Sequence, residues 1–260
     1  MQIKTKGIIL KQRNIGENDR IITILTADLG VIEATARGSK STKSSISGAV
    51  QILGYSDFCL FKGKSQYIVN SAESINSFYS LRLDVIKLSL AGYFCELLHY
   101  LSRTSDENSS QFLKLILNTL FFLQEDKIDS NQLKSIFELR ALSIAGFMPN
   151  LVCCTECATF EKDLMYFFPL EGVLVCDDCL ATSHLNLENS IKFPVTSGVL
   201  SSLRHIIFSE FEKLFSFRLT GTSLNQLNYI TENYMLLHTE ARFNSLEMYH
   251  SILNSMEAGV

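Results

Sequence analysis

Short apolar runs alternate with turn residues over the first 80 positions. Turn chemistry such as Gly16-Glu17-Asn18-Asp19 recurs about every ten residues and separates segments rich in β-branched residues. Five such segments lie at 5–12, 20–28, 31–38, 50–63 and 65–74. This spacing predicts a small antiparallel barrel, and a plain antiparallel sheet without closure is the alternative.

From residue 81 the apolar period lengthens to three and four residues, which is typical of helices. In the stretch 81–103 this spacing relates Val85, Leu88, Gly92, Cys95 and His99. That pattern predicts a largely buried helix. Further helices are expected near 110–124 and 130–146, and again from about 196 to the end.

The two periods together predict an α+β protein with a five-stranded N-terminal barrel followed by an all-α domain. We place the domain boundary so that residues 1–80 form the barrel and 81–260 the helical domain. A cysteine-rich segment at about 150–182 interrupts the helical pattern. No apolar run has the length of a signal peptide or of a membrane span, so we expect a soluble protein of the cytoplasm.

Charge is distributed unevenly between the two predicted domains. The whole chain carries a net charge of −4, but residues 1–80 hold ten Lys/Arg against six Asp/Glu. The remainder holds 13 basic against 21 acidic residues. A basic N-terminal domain beside an acidic body indicates a binding site for a polyanion at one end of the chain.

Four cysteines give the strongest chemical signal. Cys154-Thr-Glu-Cys157 is followed after eighteen residues by Cys176-Asp-Asp-Cys179. Two C-x2-C loops at this spacing are typical of a tetrahedral zinc site. Four thiolates close the coordination shell and leave no position for an activated water, so we expect one structural Zn²⁺ per chain.

Two other interpretations of these cysteines are less favoured. They are buried free thiols, which the repeated spacing argues against, and a redox C-x-x-C pair, which would not need a second pair. Cys153 directly precedes Cys154 and is a competing ligand, but the symmetric spacing favours Cys154.

Motifs of the common catalytic sites are absent. The sequence contains no P-loop, no G-x-G-x-x-G and no H-E-x-x-H, and its five histidines are scattered. We therefore expect a protein that is not an enzyme.

Arg140 is a charged residue in register with the apolar residues of the third predicted helix. It is either paired with a carboxylate or with capping carbonyls, or it is a residue that recognises a partner.

Several segments resemble the bacterial RecO recombination mediators. The N-terminal run 4–40 contains a G-E-x-D turn at Gly16–Asp19 and a basic loop at Arg37-Gly38-Ser39-Lys40. The segments 73–98, 137–157 and 167–179 are similar to the barrel-to-helix passage and the zinc segment of the family's metal-bearing members. The resemblance covers roughly residues 4–180.

This resemblance implies an oligonucleotide/oligosaccharide-binding (OB) barrel and a zinc-bearing helical domain. It implies binding of single- and double-stranded DNA, annealing of complementary strands, and partnership with RecR and single-strand binding protein in loading recombinase. RecF and RecA are indirect partners in the same scheme. It places the protein in the cytoplasm with the nucleoid and away from membranes.

Eight basic residues of the predicted barrel are candidates for phosphate contact: Lys11, Arg13, Arg20, Arg37, Lys40, Lys43, Lys62 and Lys64. Three aromatic residues, Tyr55, Phe61 and Tyr67, could stack on bases, with barrel core as the simpler interpretation. The serine-rich connection at residues 36–47, which carries Arg37, Lys40 and Lys43, is expected to be a mobile edge of the DNA site. A rival class is a zinc-bearing protein-interaction module without direct DNA binding.

Overall fold

The computed structural model describes residues 1–41, 43–63, 66–102, 107–180 and 190–257. The chain forms two compact units, Met1–Lys127 with Phe243–Val260, and Ile128–Arg242. This division differs from a boundary at residue 80 because the first helices pack against the N-terminal strands. The predicted domain boundary therefore stays a prediction.

Five strands of the first unit close into a barrel in the order β1-β2-β3-β5-β4, with β4 pairing back onto β1. Their bounds are β1 Gln2–Ile15, β2 Asp19–Thr26, β3 Val31–Ala36, β4 Tyr55–Lys62 and β5 Tyr67–Asn76. The pairing of β3 with β5 is parallel, whereas the other four pairings are antiparallel. The predicted antiparallel barrel is therefore found at four of its five pairings, and the prediction is wrong only for β3 with β5.

The close approach of β1 and β2 requires a glycine in β1, the longest strand of the barrel. Gly7 of β1 pairs with Thr26 of β2 on one side and with Ser56 of β4 on the other. A Cβ atom at this position would lie 2.6 Å from the Ile24 Cγ2 atom and 2.7 Å from the Leu25 carbonyl oxygen. Only glycine fits where the two neighbouring strands approach this closely.

Strand β2 is buried on both faces, which explains its run of apolar residues without alternation. Ile22 and Ile24 belong to the barrel core. Ile21 and Thr23 are also buried but lie outside that cluster, and helix α2, which spans Ser109–Glu125, packs against β2. Ile46, the single large apolar residue of the serine-rich connection, also packs into the barrel core.

The helices of the first unit are a short 3₁₀ helix at Tyr79–Leu83, α1 at Val85–Leu101, α2 at Ser109–Glu125 and α7 at Asn244–Glu257. Asp84 caps α1 by accepting hydrogen bonds from the backbone N–H groups of Ile86 and Lys87. Glu96 of α1 accepts from the backbone N–H of Ser245 and so caps α7.

Helix α1 is largely buried, as its apolar spacing predicts, but the predicted stripe is covered unevenly. Cys95 is fully buried, whereas Val85 is 50% and Leu88 37% exposed, and Gly92 and His99 are half-buried. The other buried residues include Leu90, Ala91, Tyr93, Phe94, Leu97, Leu98 and Leu101. The spacing alone does not separate the faces because this helix is apolar nearly all round.

The second unit packs helices around a small mixed sheet. Its elements are α3 Ser130–Ile144, β6 Asn150–Cys154, β7 Leu164–Phe168, β8 Val173–Cys176, α4 Asp177–Leu180, β9 Phe193–Thr196, α5 Ser197–Phe208 and α6 Gly221–Thr239. The strand order is β6-β8-β7-β9. The sequence pattern indicated the helices but not this sheet.

A buried ionic cluster joins α3 to α6. The Lys134 ammonium is fully buried and lies 2.9 Å from a Glu138 carboxylate oxygen and 2.6 Å from a Glu232 oxygen. Thr231 donates a further hydrogen bond to Glu138. Because a buried charge without a partner is costly, this cluster fixes the register between the two helices.

Among the described helices, none has the length and hydropathy needed to cross a bilayer.

Candidate metal centre and nucleic-acid interface

The four predicted ligand cysteines converge in the second unit. The Sγ atoms of Cys154, Cys157, Cys176 and Cys179 all lie within 4.8 Å of one another. Those of Cys157 and Cys176 are 3.7 Å apart. Cys153, the competing candidate, does not belong to this cluster.

Strand ends and a helical turn bring the four thiols together. Cys154 ends β6 and Cys176 ends β8, and these two strands are parallel neighbours. Cys179 lies on α4, which follows β8 directly. Cys157 is brought back by a turn in which the Ala158 N–H donates to the Cys154 carbonyl, 2.9 Å away.

Polar contacts favour a negative charge on Cys157, whereas burial raises the pKa of Cys176 and hydrogen bonding to Cys176 raises the pKa of Cys179. The Thr159 hydroxyl oxygen lies 3.1 Å from the Cys157 Sγ atom, and hydrogen bonding to Thr159 and to neighbouring thiols lowers the pKa of Cys157 to about 6. The Cys176 backbone N–H points at the Cys154 Sγ atom, 3.3 Å away. Lys162 pairs with Asp178 and lies 3.7 Å from Asp177, so it balances the two carboxylates between Cys176 and Cys179.

This donor set fits a tetrahedral metal ion. Zn²⁺ bound by four thiolates at ~2.3 Å requires sulfur atoms separated by about 3.8 Å, close to the Cys157–Cys176 separation. Thiolate ligands select soft or borderline cations over Mg²⁺ or Ca²⁺. The four cysteines can therefore hold one metal ion, and their chemistry is compatible with zinc.

Arg204 ties residues 150–180, which we call the cysteine module, to helix α5, and the sequence pattern did not indicate this residue. Its guanidinium donates to the carbonyl oxygens of Leu151, Val152 and Phe160 at 2.7, 2.9 and 2.5 Å. It also stacks on the Phe160 ring, 3.9 Å from the centroid. Burial lowers the pKa of Arg204. In sequence it is a single arginine in an apolar helix, and its partners lie more than forty residues away.

Arg140 donates hydrogen bonds to backbone carbonyl groups, which is the simpler of its two interpretations. Its Nη1 atom donates to the carbonyl oxygens of Ile206 and Ile207 at 3.2 and 2.5 Å, near the end of α5. The guanidinium carbon lies 5.0 Å from the centre of the Phe211 ring, and burial lowers the pKa of Arg140. It therefore caps a helix. A role in partner recognition stays a prediction.

The serine-rich connection of the barrel is a chain of hydrogen-bonded turns. Its side chains at Arg37, Lys40 and Lys43 are exposed, whereas Ser39 is fully buried. Hydrogen bonds to the β1–β2 turn fix its start: the Gly38 N–H donates to Asp19 at 2.8 Å and the Lys40 N–H to the Asn18 carbonyl at 3.0 Å. We refer to residues 37–41 as the basic loop.

Arg20, which lies on β2, supports the basic loop and does not extend freely into solvent. Its Nη1 atom donates to the Ser39 carbonyl, 3.2 Å away, and the residue is half-buried. Gly38 adopts a φ of +62°, a left-handed conformation that favours glycine. Asp19, Arg20 and Gly38 thus position the loop whose side chains face solvent.

The remaining basic candidates occupy different parts of the barrel. Lys62 pairs with Tyr67, and Tyr67 pairs with Ala34 of β3, the strand that leads into the basic loop. Lys11 lies further back on β1 and Arg13 nearer its end, and both are exposed. Lys64 lies outside the described residues. The contact of all eight with DNA stays a prediction.

The three aromatic candidates differ in exposure. Phe61 is 47% exposed on β4. Tyr67 packs against the barrel core, and the Lys62 ammonium lies 5.9 Å from the centre of its ring. Tyr55 is half-buried. Phe61 is therefore the best placed of the three for stacking on a base.

Fold and site together define a two-unit protein with a basic loop on a closed N-terminal barrel and a four-cysteine metal centre. The family model for "Recombination protein O N terminal" matches residues 1–78, and the model for "Recombination protein O C terminal" matches residues 82–247. The chain belongs to the RecO family.

Similar full-length proteins support this assignment. "DNA repair protein RecO" of Acetivibrio thermocellus is 34% identical over 250 residues, which cover 96% of this chain and 97% of the relative. The protein of the same description from Alkaliphilus metalliredigens is 33% identical over 253 residues, covering 97% of this chain and 100% of the relative. That of Symbiobacterium thermophilum is 28% identical over 249 residues, covering 95% of this chain and 96% of the relative.

Proposed function

We propose that this protein is a DNA repair and recombination mediator. It binds single- and double-stranded DNA, anneals complementary strands, and helps to load recombinase onto strands coated with single-strand binding protein. Membership of the RecO family supports the general role. The observation that carries DNA binding is the basic loop, whose cationic side chains face solvent while its backbone is fixed to the barrel.

The strand order of the barrel supports an OB-type fold for residues 1–80, which we propose as the DNA-binding domain. Strand β1 pairs with both β2 and β4 in a closed five-stranded sheet, and β3 and β5 pair in parallel. OB-type barrels bind single strands through a basic groove with aromatic platforms. Phe61 and the side chains of Lys62, Arg37 and Lys40 offer both kinds of contact on neighbouring strands and loops.

Annealing follows from charge neutralisation without base readout. Two single strands repel each other, and bound Lys and Arg side chains displace the counterions of both. Contacts to phosphates carry no sequence information, so such a surface accepts any complementary pair. The exposed basic loop suits this task because its short neighbours, mostly serines, do not shield its charges.

The metal centre is proposed to hold structural zinc. Four thiolates leave no open coordination position, so the ion would stabilise the β6–β9 module instead of activating water. Residues 81–260 would form the helical domain, with this module as an insertion. RecR and single-strand binding protein are the proposed partners, with RecF and RecA acting indirectly, in the cytoplasm at the nucleoid.

Replacing Arg37, Lys40 and Lys43 together by Ala tests the DNA-binding proposal. We expect weaker binding to single-stranded DNA and a salt dependence that flattens by about one unit of slope for each phosphate that the protein no longer neutralises. A matched control replaces three exposed lysines elsewhere, Lys114, Lys192 and Lys213, and makes the same change in net charge. Equal effects of the two triple variants, or no effect of the first, would remove Arg37, Lys40 and Lys43 from the DNA site.

A further inference from the structure

A cleft of about 440 Å³ opens within the first unit beside the barrel. Its walls are part of β1, one face of α1 and the first turns of α7, and include Leu10, Lys11, Gly92, Cys95 and Met248. We propose that this cleft receives one unpaired base of single-stranded DNA, with the adjoining phosphates held at Lys11 and Arg13. The inference rests on the proposed DNA binding and adds a site that distinguishes single strands from duplex.

A bulge in β1 creates one wall of the cleft. The pairing of β1 with β2 shifts register between Ile9 and Lys11, so that Leu10 is the extra residue. Ile9 belongs to the barrel core, whereas Leu10 is buried outside that cluster and lines the cleft. The bulge therefore turns an apolar side chain away from the barrel interior and next to the basic Lys11.

The opposite wall is the stripe of α1 that the sequence pattern predicts to be core. Gly92, Cys95 and His99 follow at helical spacing and all line the cleft. A Cβ atom built on Gly92 would have no atom within 4 Å apart from its chain neighbours and the backbone of its own helix. Glycine is unfavourable inside a helix, and packing does not require it here. Its effect is to keep the cleft open.

The chemistry of the walls suits the face of a base. Leu10, Cys95 and Met248 present aliphatic and sulfur surfaces, and burial raises the pKa of the Cys95 thiol to about 12, so it stays neutral. Asn244 and Ser245 add polar groups at the start of α7. The volume lies within the range of ~300–1,000 Å³ typical of pockets for small ligands.

A second, smaller cleft of about 60 Å³ continues the first. The two share Lys11 and His99, and the smaller one adds Arg13, Thr23 and Glu33. The exposed Lys11 and Arg13 provide positive charge for phosphates beside the apolar cleft.

Two carboxylates lie in the same region. Glu33 lines the smaller cleft, and Glu96 lines the larger one. Glu96 already accepts hydrogen bonds from the Ser245 backbone N–H and hydroxyl, which engages its charge in the cap of α7. Glu33 lines the same small cleft as Lys11 and Arg13 and offsets one of their two positive charges, so one positive charge of this group remains for phosphate.

Filling the cleft from α1 tests the proposal. Gly92→Leu places a helix-favouring side chain in the open space and leaves every basic residue in place. Stacking of one base contributes enough that its loss should weaken single-strand binding about tenfold. Affinity for duplex DNA and the salt slope should not change, because bases stay paired in duplex and the phosphate contacts remain. Gly92→Ala is the matched control and should bind as the unmodified protein does.

An oligonucleotide with abasic sites provides the second arm. The unmodified protein should bind it more weakly than the intact strand, and Gly92→Leu should bind the two equally. Melting temperatures of all variants ensure that folded proteins are compared, and Gly92→Gln replaces the Leu variant if that one does not fold.

Three outcomes would overturn the base site: unchanged single-strand affinity in Gly92→Leu, equal losses for single strand and duplex, or loss of binding to a protein partner with DNA affinity intact. Failure of the proposed function itself looks different, because the unmodified protein would then bind no DNA of either kind.

Discussion

The basic loop and the cysteine module are both irregular segments between regular elements, but they are held in different ways. The basic loop is fixed by hydrogen bonds from the Gly38 and Lys40 N–H groups to the neighbouring turn, and its charges face solvent. The cysteine module directs four thiols inward to one point, and two of them, Cys154 and Cys176, are fully buried.

Because of this difference, substitutions in the basic loop should affect mainly DNA affinity, and substitutions in the cysteine module should affect mainly stability. Removing an exposed charge from the basic loop costs little folding free energy, because surface charges contribute little. It does remove attraction for a polyanion. Removing one thiol from the module would leave the proposed metal ion with an incomplete shell, so the cost is expected to fall on folding. Substitutions in the module, the barrel and the basic loop should therefore differ in their effects, from a large loss of stability to a small change in affinity.

Loss of a ligand cysteine should have the largest effect. Cys176→Ser is expected to release the metal and to destabilise the second unit by more than about 4 kcal/mol, because a metal ligand is lost from a buried position. Metal content and melting temperature measure the two consequences. Cys153→Ser is the matched control: its residue lies next to Cys154 but outside the cluster, so metal and stability should be retained. Metal loss without a fall in melting temperature would contradict a structural role.

Disturbing the barrel should have an intermediate effect on stability. Gly7→Ala introduces a Cβ atom 2.6 Å from Ile24 Cγ2 and 2.7 Å from the Leu25 carbonyl, and we expect a loss of about 1–3 kcal/mol. Gly48→Ala is the control because no atom lies within 4 Å of its Cβ position. Urea unfolding compares the two. Equal stability of both variants would show that the strands around Gly7 can move apart at no cost.

The periodicity of the sequence was sufficient to find the strands of the barrel and most helices, since each contains several residues on one repeating pattern. The spacing of Cys154, Cys157, Cys176 and Cys179 was sufficient to predict that their thiols converge, because each short loop constrains its two thiols locally. Strands β6 to β9 contain four or five residues each, too few to show a period among cysteines and turn residues.

Other features depend on contacts that no local pattern encodes. Arg20 reaches Ser39 across nineteen positions, and Arg204 reaches Phe160 across forty-four. The apolar spacing predicts that α1 is buried but not which face is covered, because both faces are apolar and only the packed chain decides between them. The cleft beside Leu10 arises from a bulge of one residue, which the sequence does not mark.

The smallest effect is expected where the basic loop joins the β1–β2 turn, and it tests whether anchoring matters for function. Asp19→Ala removes the acceptor of the Gly38 N–H and should cost about 1 kcal/mol of stability. Asp19→Asn keeps an oxygen acceptor at the same place. Both variants remove one negative charge, so electrostatics alone would raise DNA affinity equally in both.

If the hydrogen bond from the Gly38 N–H to Asp19 positions Arg37 and Lys40, the two variants must differ in DNA affinity. Asp19→Asn should bind single-stranded DNA at least as tightly as the unmodified protein, since the loop is held and a repulsive charge is gone. Asp19→Ala should bind a few-fold more weakly than Asp19→Asn, because the loop loses its hydrogen bond to the turn and its cations must be ordered on binding. Titration at several salt concentrations measures both. Matching affinities would mean that the basic loop acts through its charge alone and that its fixed backbone plays no part in binding.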